Sequence, residues 1–146
     1  MAVPQKLQSI VDLFAGAPKE LRLQALLEYA GRLPPLPAHL AENPHLLERV
    51  HECQSPFFVA SQVEEDGSVT FFFEAPPEAP TTRGYAGILA NGLNGSTVEE
   101  VLELPNDFYL GMGLGEVISP LRLRGMSAIL GRMKHQLQTA NRPSPT

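Results

Sequence analysis

Residues 57–74 read FFVASQVEEDGSVTFFFE. Two runs rich in aromatic and β-branched residues, 57–63 and 69–74, flank the dipeptide Asp66-Gly67. An Asp-Gly dipeptide between two such runs is a strong signal for a β-hairpin, because it suits the tight turns that match the twist of paired strands. The segment therefore predicts an antiparallel hairpin in the middle of the chain.

Two helical patterns precede the hairpin. Residues 4–14 place apolar side chains at helical spacing on one face. A second helix is expected to begin near Pro18, where a first-turn proline is tolerated, and to end at Gly31. Its expected apolar stripe consists of Leu23, Leu26, Leu27 and Ala30.

Three more helices are expected after the hairpin. The first would be capped by Thr81 or Thr82 and run to about Asn91. The second would open with a capping box at residues 96–99 (Ser-Thr-Val-Glu) and stop at Pro105. The third would start at Ser119-Pro120 and carry a buried face. That face would contain Met126, Ile129, Leu130, Met133 and Leu137.

This order of elements favours an α+β fold, in which a small antiparallel, hairpin-based β-sheet packs against several α-helices. With 146 residues, the chain is expected to form a single domain over residues 1–140. Residues 141–146 are expected to be a disordered C-terminal tail.

Composition and charge exclude several function classes. The net charge of −5 argues against a nucleic-acid partner bound through phosphate neutralisation. No apolar run approaches the roughly 18 residues of a membrane-spanning helix, so no membrane association is expected. The N-terminus does not resemble a secretory signal, which points to the cytoplasm. The single cysteine, Cys53, excludes an internal disulfide and a four-cysteine metal site.

Cys53 lies in a polar stretch, residues 50–55 (Val-His-Glu-Cys-Gln-Ser), directly before the first predicted strand. A lone cysteine is most often a small buried apolar residue, but loops on rigid scaffolds commonly carry reactive groups. A charged His51 would lower the pKa of the thiol, whereas the carboxylate of Glu52 would raise it. The sequence leaves the balance open. It also leaves an alternative, a small zinc-binding module that uses His45, His51 and Cys53.

Several segments together resemble the SufE family. These are residues 50–55 with the cysteine, the hairpin that follows, residues 31–36 (Gly-Arg-Leu-Pro-Pro-Leu), and residues 119–125 (Ser-Pro-Leu-Arg-Leu-Arg-Gly) at the start of the last helix. The similarity runs from about Leu7 to Ala140 in the same order. It implies a SufE/NifU-like fold. The family usually has glycine just before the cysteine, where this chain has Glu52.

The resemblance implies a sulfur acceptor in iron–sulfur cluster assembly. Cys53 would take sulfur as a persulfide from a pyridoxal-phosphate-dependent, SufS-like cysteine desulfurase, stimulate that enzyme, and pass the sulfur to a cluster scaffold. The chain would then be a carrier and activator, not an enzyme, and would need no cofactor or metal of its own. The resemblance gives Arg122 a loop-positioning or partner-binding role. Gln54, Ser55 and His51 are expected to share that role, with Gln54 and Ser55 bonding the loop backbone.

Overall fold

The computed structural model describes residues 3–140. The expected disordered tail, residues 141–146, lies outside the described residues. Among residues 3–140, no helix combines the length and the apolar composition that a membrane crossing requires.

The predicted hairpin is present as the larger part of a three-stranded antiparallel sheet with the order β1-β2-β3. Strands β2 (Phe58–Val63) and β3 (Val69–Glu74) pair along their whole length, and Gly67 adopts a positive φ of 88° in the turn between them. A short edge strand, β1 (Glu48–Arg49), pairs with the start of β2. The sequence did not predict β1, because two residues carry no readable period.

Residues 3–140 contain six α-helices, which confirms the α+β fold class. They are α1 (Gln5–Gly16), α2 (Lys19–Ala30), α3 (Ala38–Ala41), α4 (Pro80–Leu93), α5 (Val98–Glu103) and α6 (Pro120–Ala140). Three 3-10 turns complete the chain at Pro44–Leu46, Phe108–Met112 and Leu114–Glu116.

Helix α4 is the central helix of the fold and packs against α2, α1 and β3. Glycines make this packing possible. A Cβ atom on Gly84 would lie 2.1 Å from the carbonyl oxygen of Leu26, and one on Gly87 would lie 2.0 Å from that of Tyr29. Both distances are far inside van der Waals contact, so any side chain here would force α2 and α4 apart.

The buried face of α2 differs from the expected stripe. Leu26 is fully buried, but Leu23 and Leu27 are each 39% exposed, and Tyr29 is buried in their place. The reason is that α2 meets α4 through the face that carries Leu26 and Tyr29. The expected Leu23/Leu27 stripe is therefore wrong.

Two helix starts also differ from expectation by a residue or more. The capping box of α5 begins at Thr97 and not at Ser96. The Thr97 hydroxyl accepts from the backbone N–H of Glu100, and the Glu100 carboxylate accepts from the backbone N–H of Thr97. Helix α4 begins at Pro80 with no side-chain cap, so Thr81 and Thr82 lie inside its first turn.

The last helix matches its prediction closely. Ser119 accepts a hydrogen bond from the backbone N–H of Arg122, at 3.4 Å. The helix packs across β2. Its five predicted core residues are all buried: Met126, Ile129, Leu130, Met133 and Leu137. This placement brings the first turns of α6 next to the polar stretch that contains Cys53.

Candidate functional site

The polar stretch around Cys53 is the turn that joins β1 to β2. The backbone N–H of Val50 donates to the carbonyl of Phe57 at 2.8 Å and closes the turn at its base. Inside the turn, the N–H of Cys53 donates to the carbonyl of Val50 at 3.2 Å. Cys53 therefore stands at the tip of a six-residue turn, residues 51–56, which we call the cysteine loop.

The loop folds inward and buries its thiol against α6. Cys53 is only 8% exposed, and its Sγ atom lies 3.8 Å from the carbonyl oxygen of Gly125, a weak S–H···O contact. A Cβ atom on Gly125 would lie 3.3 Å from that sulfur. A side chain at Gly125 would crowd the sulfur, so the glycine leaves room for the cysteine loop in this position.

This environment keeps the thiol protonated. Burial raises the pKa of Cys53 from 9.0 to about 11, and the carboxylate of Glu52 adds to the rise. Since the thiolate is the nucleophilic form, Cys53 in the folded-in loop is a poor nucleophile at neutral pH. The Glu52 effect has the direction that the sequence predicted.

A cavity of about 360 Å³ lies beside the thiol. The cysteine loop contributes residues 52–55 to its wall. The start of α4 and the start of α6 contribute the rest, including Thr81 and Arg122, and the Arg122 guanidinium donates a hydrogen bond to the hydroxyl of Thr81 at 3.3 Å. The structure thus brings Arg122 to the same cavity as Cys53, although the two residues are far apart in sequence.

The other expected site residues differ from Cys53 in exposure and bonding. Gln54 is exposed and Ser55 half-buried, and within residues 3–140 neither side chain makes the backbone hydrogen bond that was expected of it. His51 is exposed on the cysteine loop, and its side chain is not among those lining the cavity.

The structure does not bring together the residues of the zinc alternative. His45 lies exposed in the 3-10 turn Pro44–Leu46, before β1. In the part of the chain that the structure describes, no three His, Cys, Asp or Glu side chains are grouped closely enough to hold a metal ion. His45, His51 and Cys53 are therefore not a candidate metal centre.

Sequence reasoning missed the parts of the site that other elements supply. The motif at residues 119–125 gives Gly125 no role of its own, although an isolated glycine inside a helical pattern is a signal of close packing. Thr81 was expected to be a helix cap, whereas its hydroxyl accepts from Arg122 at the cavity.

Comparisons with known proteins find matches over most of the chain. The family model for SufE, the Fe-S metabolism associated domain, matches residues 8–137. SufE-like proteins from two strains of Mycobacterium tuberculosis are 47% identical over 140 residues, covering 96% of each chain.

Two further matches are a solved structure and a more distant relative. The solution structure of a hypothetical protein from Thermus thermophilus is 51% identical, with a TM-score of 0.84, and the match covers 94% of this chain and 97% of that one. The cysteine desulfuration protein SufE of Plasmodium vivax is 26% identical over 88% of this chain and 51% of its own length.

Proposed function

The chain belongs to the SufE family, whose members are accessory proteins of iron–sulfur metabolism, and on that premise we propose that Cys53 accepts sulfur as a persulfide from a cysteine desulfurase. The observation that carries this proposal is the placement of Cys53. It is the only cysteine of the chain and stands at the tip of a turn beside a cavity. The name of the Plasmodium vivax relative, a cysteine desulfuration protein, supports the same assignment.

The transfer needs one nucleophile and no cofactor from this chain. The Cys53 thiolate attacks the terminal sulfur of a persulfide on the desulfurase, a Cys53 S–S bond forms, and the partner's own S–S bond breaks. The partner's cysteine leaves as a thiolate and takes up a proton, so no external oxidant or reductant is consumed. Pyridoxal phosphate belongs to the desulfurase in this scheme, which we take to be SufS-like.

The second half of the scheme passes the sulfur on. A thiolate of an iron–sulfur scaffold attacks the outer sulfur of the Cys53 persulfide and releases Cys53 as a thiol. Because the chain has no second cysteine, the persulfide cannot be discharged internally as a disulfide. We place this reaction in the cytoplasm, since a single free thiol stays reduced there.

The cysteine loop must open for either transfer. Cys53 is 8% exposed in the folded-in loop, which leaves little of the residue open to an incoming persulfide. The contact that holds it is a weak S–H···O interaction, which docking of a partner can replace. Arg122, Gln54, Ser55 and His51 are then available as loop-positioning or partner-binding residues at the cavity and on the loop.

An intact-mass experiment tests the proposal. The protein is incubated with a pyridoxal-phosphate cysteine desulfurase and cysteine, and its mass is read without reductant. We expect a gain of one sulfur atom that reductant removes, and faster cysteine turnover by the desulfurase. The matched control is Cys53→Ser, which keeps the size of the side chain and should show neither effect. A wild-type protein that gains no sulfur would contradict the proposal.

A further inference from the structure

A polar network holds the strand before the cysteine loop against the last helix. The Arg132 guanidinium and the Glu48 carboxylate form an ion pair at 2.9 Å, and the side-chain amide of Gln136 donates to the same carboxylate at 2.9 Å. Gln136 also donates to the carbonyl of Val59 at 3.1 Å and accepts from the hydroxyl of Ser61 at 2.6 Å. We call Glu48, Arg132, Gln136 and Ser61 the β1–α6 clamp.

The clamp is attached to both strands that bound the cysteine loop. Glu48 belongs to β1, whereas Val59 and Ser61 belong to β2. Arg132 and Gln136 are one helical turn apart and so lie on the same face of α6. Without these contacts, β1 would be an edge strand of two residues held to β2 by a few backbone bonds.

The tip of the loop is held much more weakly than its base. The hydrogen bonds at the tip are the weak thiol contact of Cys53 with Gly125 and the backbone bond from Cys53 to Val50. At the base, the clamp adds four side-chain hydrogen bonds, two of which are made by a carboxylate. We therefore expect the hydrogen bonds at the tip of the cysteine loop to break before those of the clamp.

We propose that Glu48, Arg132 and Gln136 are positioning residues that fix the base of the cysteine loop on α6, and that this placement holds Cys53 in its folded-in position against Gly125. This inference deepens, and rests on, the proposed role of Cys53 as the sulfur acceptor. It also limits how far the thiol travels. Cys53 is three residues beyond Val50, so a fully extended loop carries it no more than about 10 Å from that fixed point.

Alkylation of Cys53 in the free protein measures this restraint. At a fixed pH, the rate of reaction with iodoacetamide reports the fraction of molecules in which the loop is open, because the folded-in thiol is shielded. We expect Glu48→Ala to alkylate about 5-fold faster than wild type, which is the upper end of what a partly exposed ion pair contributes. Glu48→Gln, which keeps an acceptor for Gln136 but loses the charge that faces Arg132, should fall between the two.

The structure offers a matched control in a second ion pair. Arg22 and Glu116 are 3.0 Å apart, and neither residue lines the cavity beside Cys53. Glu116→Ala should lower the free energy of unfolding by a similar amount and leave the alkylation rate unchanged. Hydrogen exchange gives a second readout, since the Val50 N–H should lose protection in Glu48→Ala and keep it in Glu116→Ala.

The outcomes separate the clamp from the proposed function. Equal alkylation rates for wild type and Glu48→Ala, or an equal acceleration by Glu116→Ala, would overturn the clamp. Failure of the wild-type protein to gain sulfur from a desulfurase would instead overturn the proposed function and leave the alkylation result standing. If Glu48→Ala does not fold, Gln136→Ala carries the same comparison, because it removes the bonds to both strands.

Discussion

Replacement of Gly125 by alanine should release the cysteine loop while leaving the rest of the fold intact. Gly125 is in α6 and does not have a positive φ, so its backbone accepts alanine. The new Cβ atom would lie 3.3 Å from the Sγ atom of Cys53, 3.7 Å from its Cα atom and 3.8 Å from the carbonyl oxygen of Glu52. The methyl group would therefore crowd the sulfur, whereas its other two distances are ordinary van der Waals contacts.

The size of the effect follows from which state the methyl group strains. Overpacking a well-packed site costs about 1–3 kcal/mol. Only the folded-in loop bears this cost, because the sulfur moves away from Gly125 when the loop opens. At about 1.4 kcal/mol per factor of ten, the open fraction of Cys53 should rise by roughly 5- to 150-fold. The gain in helix propensity, ~1 kcal/mol for glycine to alanine, applies to both states and does not change their ratio.

Alkylation of Cys53 with iodoacetamide, followed by intact mass, is the assay, and urea unfolding checks the fold. Gly131→Ala is the matched control, because it makes the same change in the same helix. Its Cβ atom would meet only the Asn106 side chain, at an ordinary 3.6 Å. We expect Gly125→Ala to alkylate at least about 5-fold faster than Gly131→Ala. Equal rates for the two variants would refute the idea that Gly125 sets the burial of Cys53.

Three other outcomes are expected. Glu52→Gln should speed alkylation of Cys53 by about threefold below the thiol pKa, because it removes the neighbouring negative charge that raises that pKa; an unchanged rate would rule out the charge effect. The free energy of unfolding should fall as the pH rises from 9.0 towards about 11, because the Cys53 thiol ionises at lower pH in the unfolded chain than in the folded one. Urea titrations of Cys53→Ser should lack this pH-dependent decrease. Gly87→Ala should lower the free energy of unfolding, measured with urea, by ~3 kcal/mol or more, because its Cβ atom would lie 2.0 Å from the Tyr29 carbonyl oxygen. A decrease no larger than that of Gly131→Ala would show that α2 and α4 can separate freely.

The elements that the sequence predicted correctly are those that short-range chemistry determines. Asp66-Gly67 specifies a tight turn whatever surrounds it, and the hairpin follows. The five apolar residues of α6 repeat at helical spacing over several turns, so their buried face could be read directly. The fold class and the polar stretch around Cys53 could also be predicted, because short-range sequence patterns determine both.

The features that sequence reasoning missed depend on contacts between distant segments. Cys53 and Gly125 are 72 positions apart, and nothing near either residue shows that they touch. Strand β1 exists because Glu48 is tied both to β2 and to α6. On α2, Tyr29 is buried instead of Leu27 because α4 approaches through Gly87, a choice that hydrophobic periodicity cannot make.

Burial of Cys53 suppresses its chemistry while the loop is folded in. The rise in pKa from 9.0 to about 11 lowers the thiolate fraction at neutral pH by about 100-fold. Oxidation and alkylation both need the thiolate, so the folded-in state is protected from them. A desulfurase that holds the loop open therefore gains twice in the proposed transfer, since the thiol becomes reachable and its pKa returns towards the ordinary value. A partner that bound the open and folded-in states equally well would gain neither, because only a difference in affinity shifts the loop.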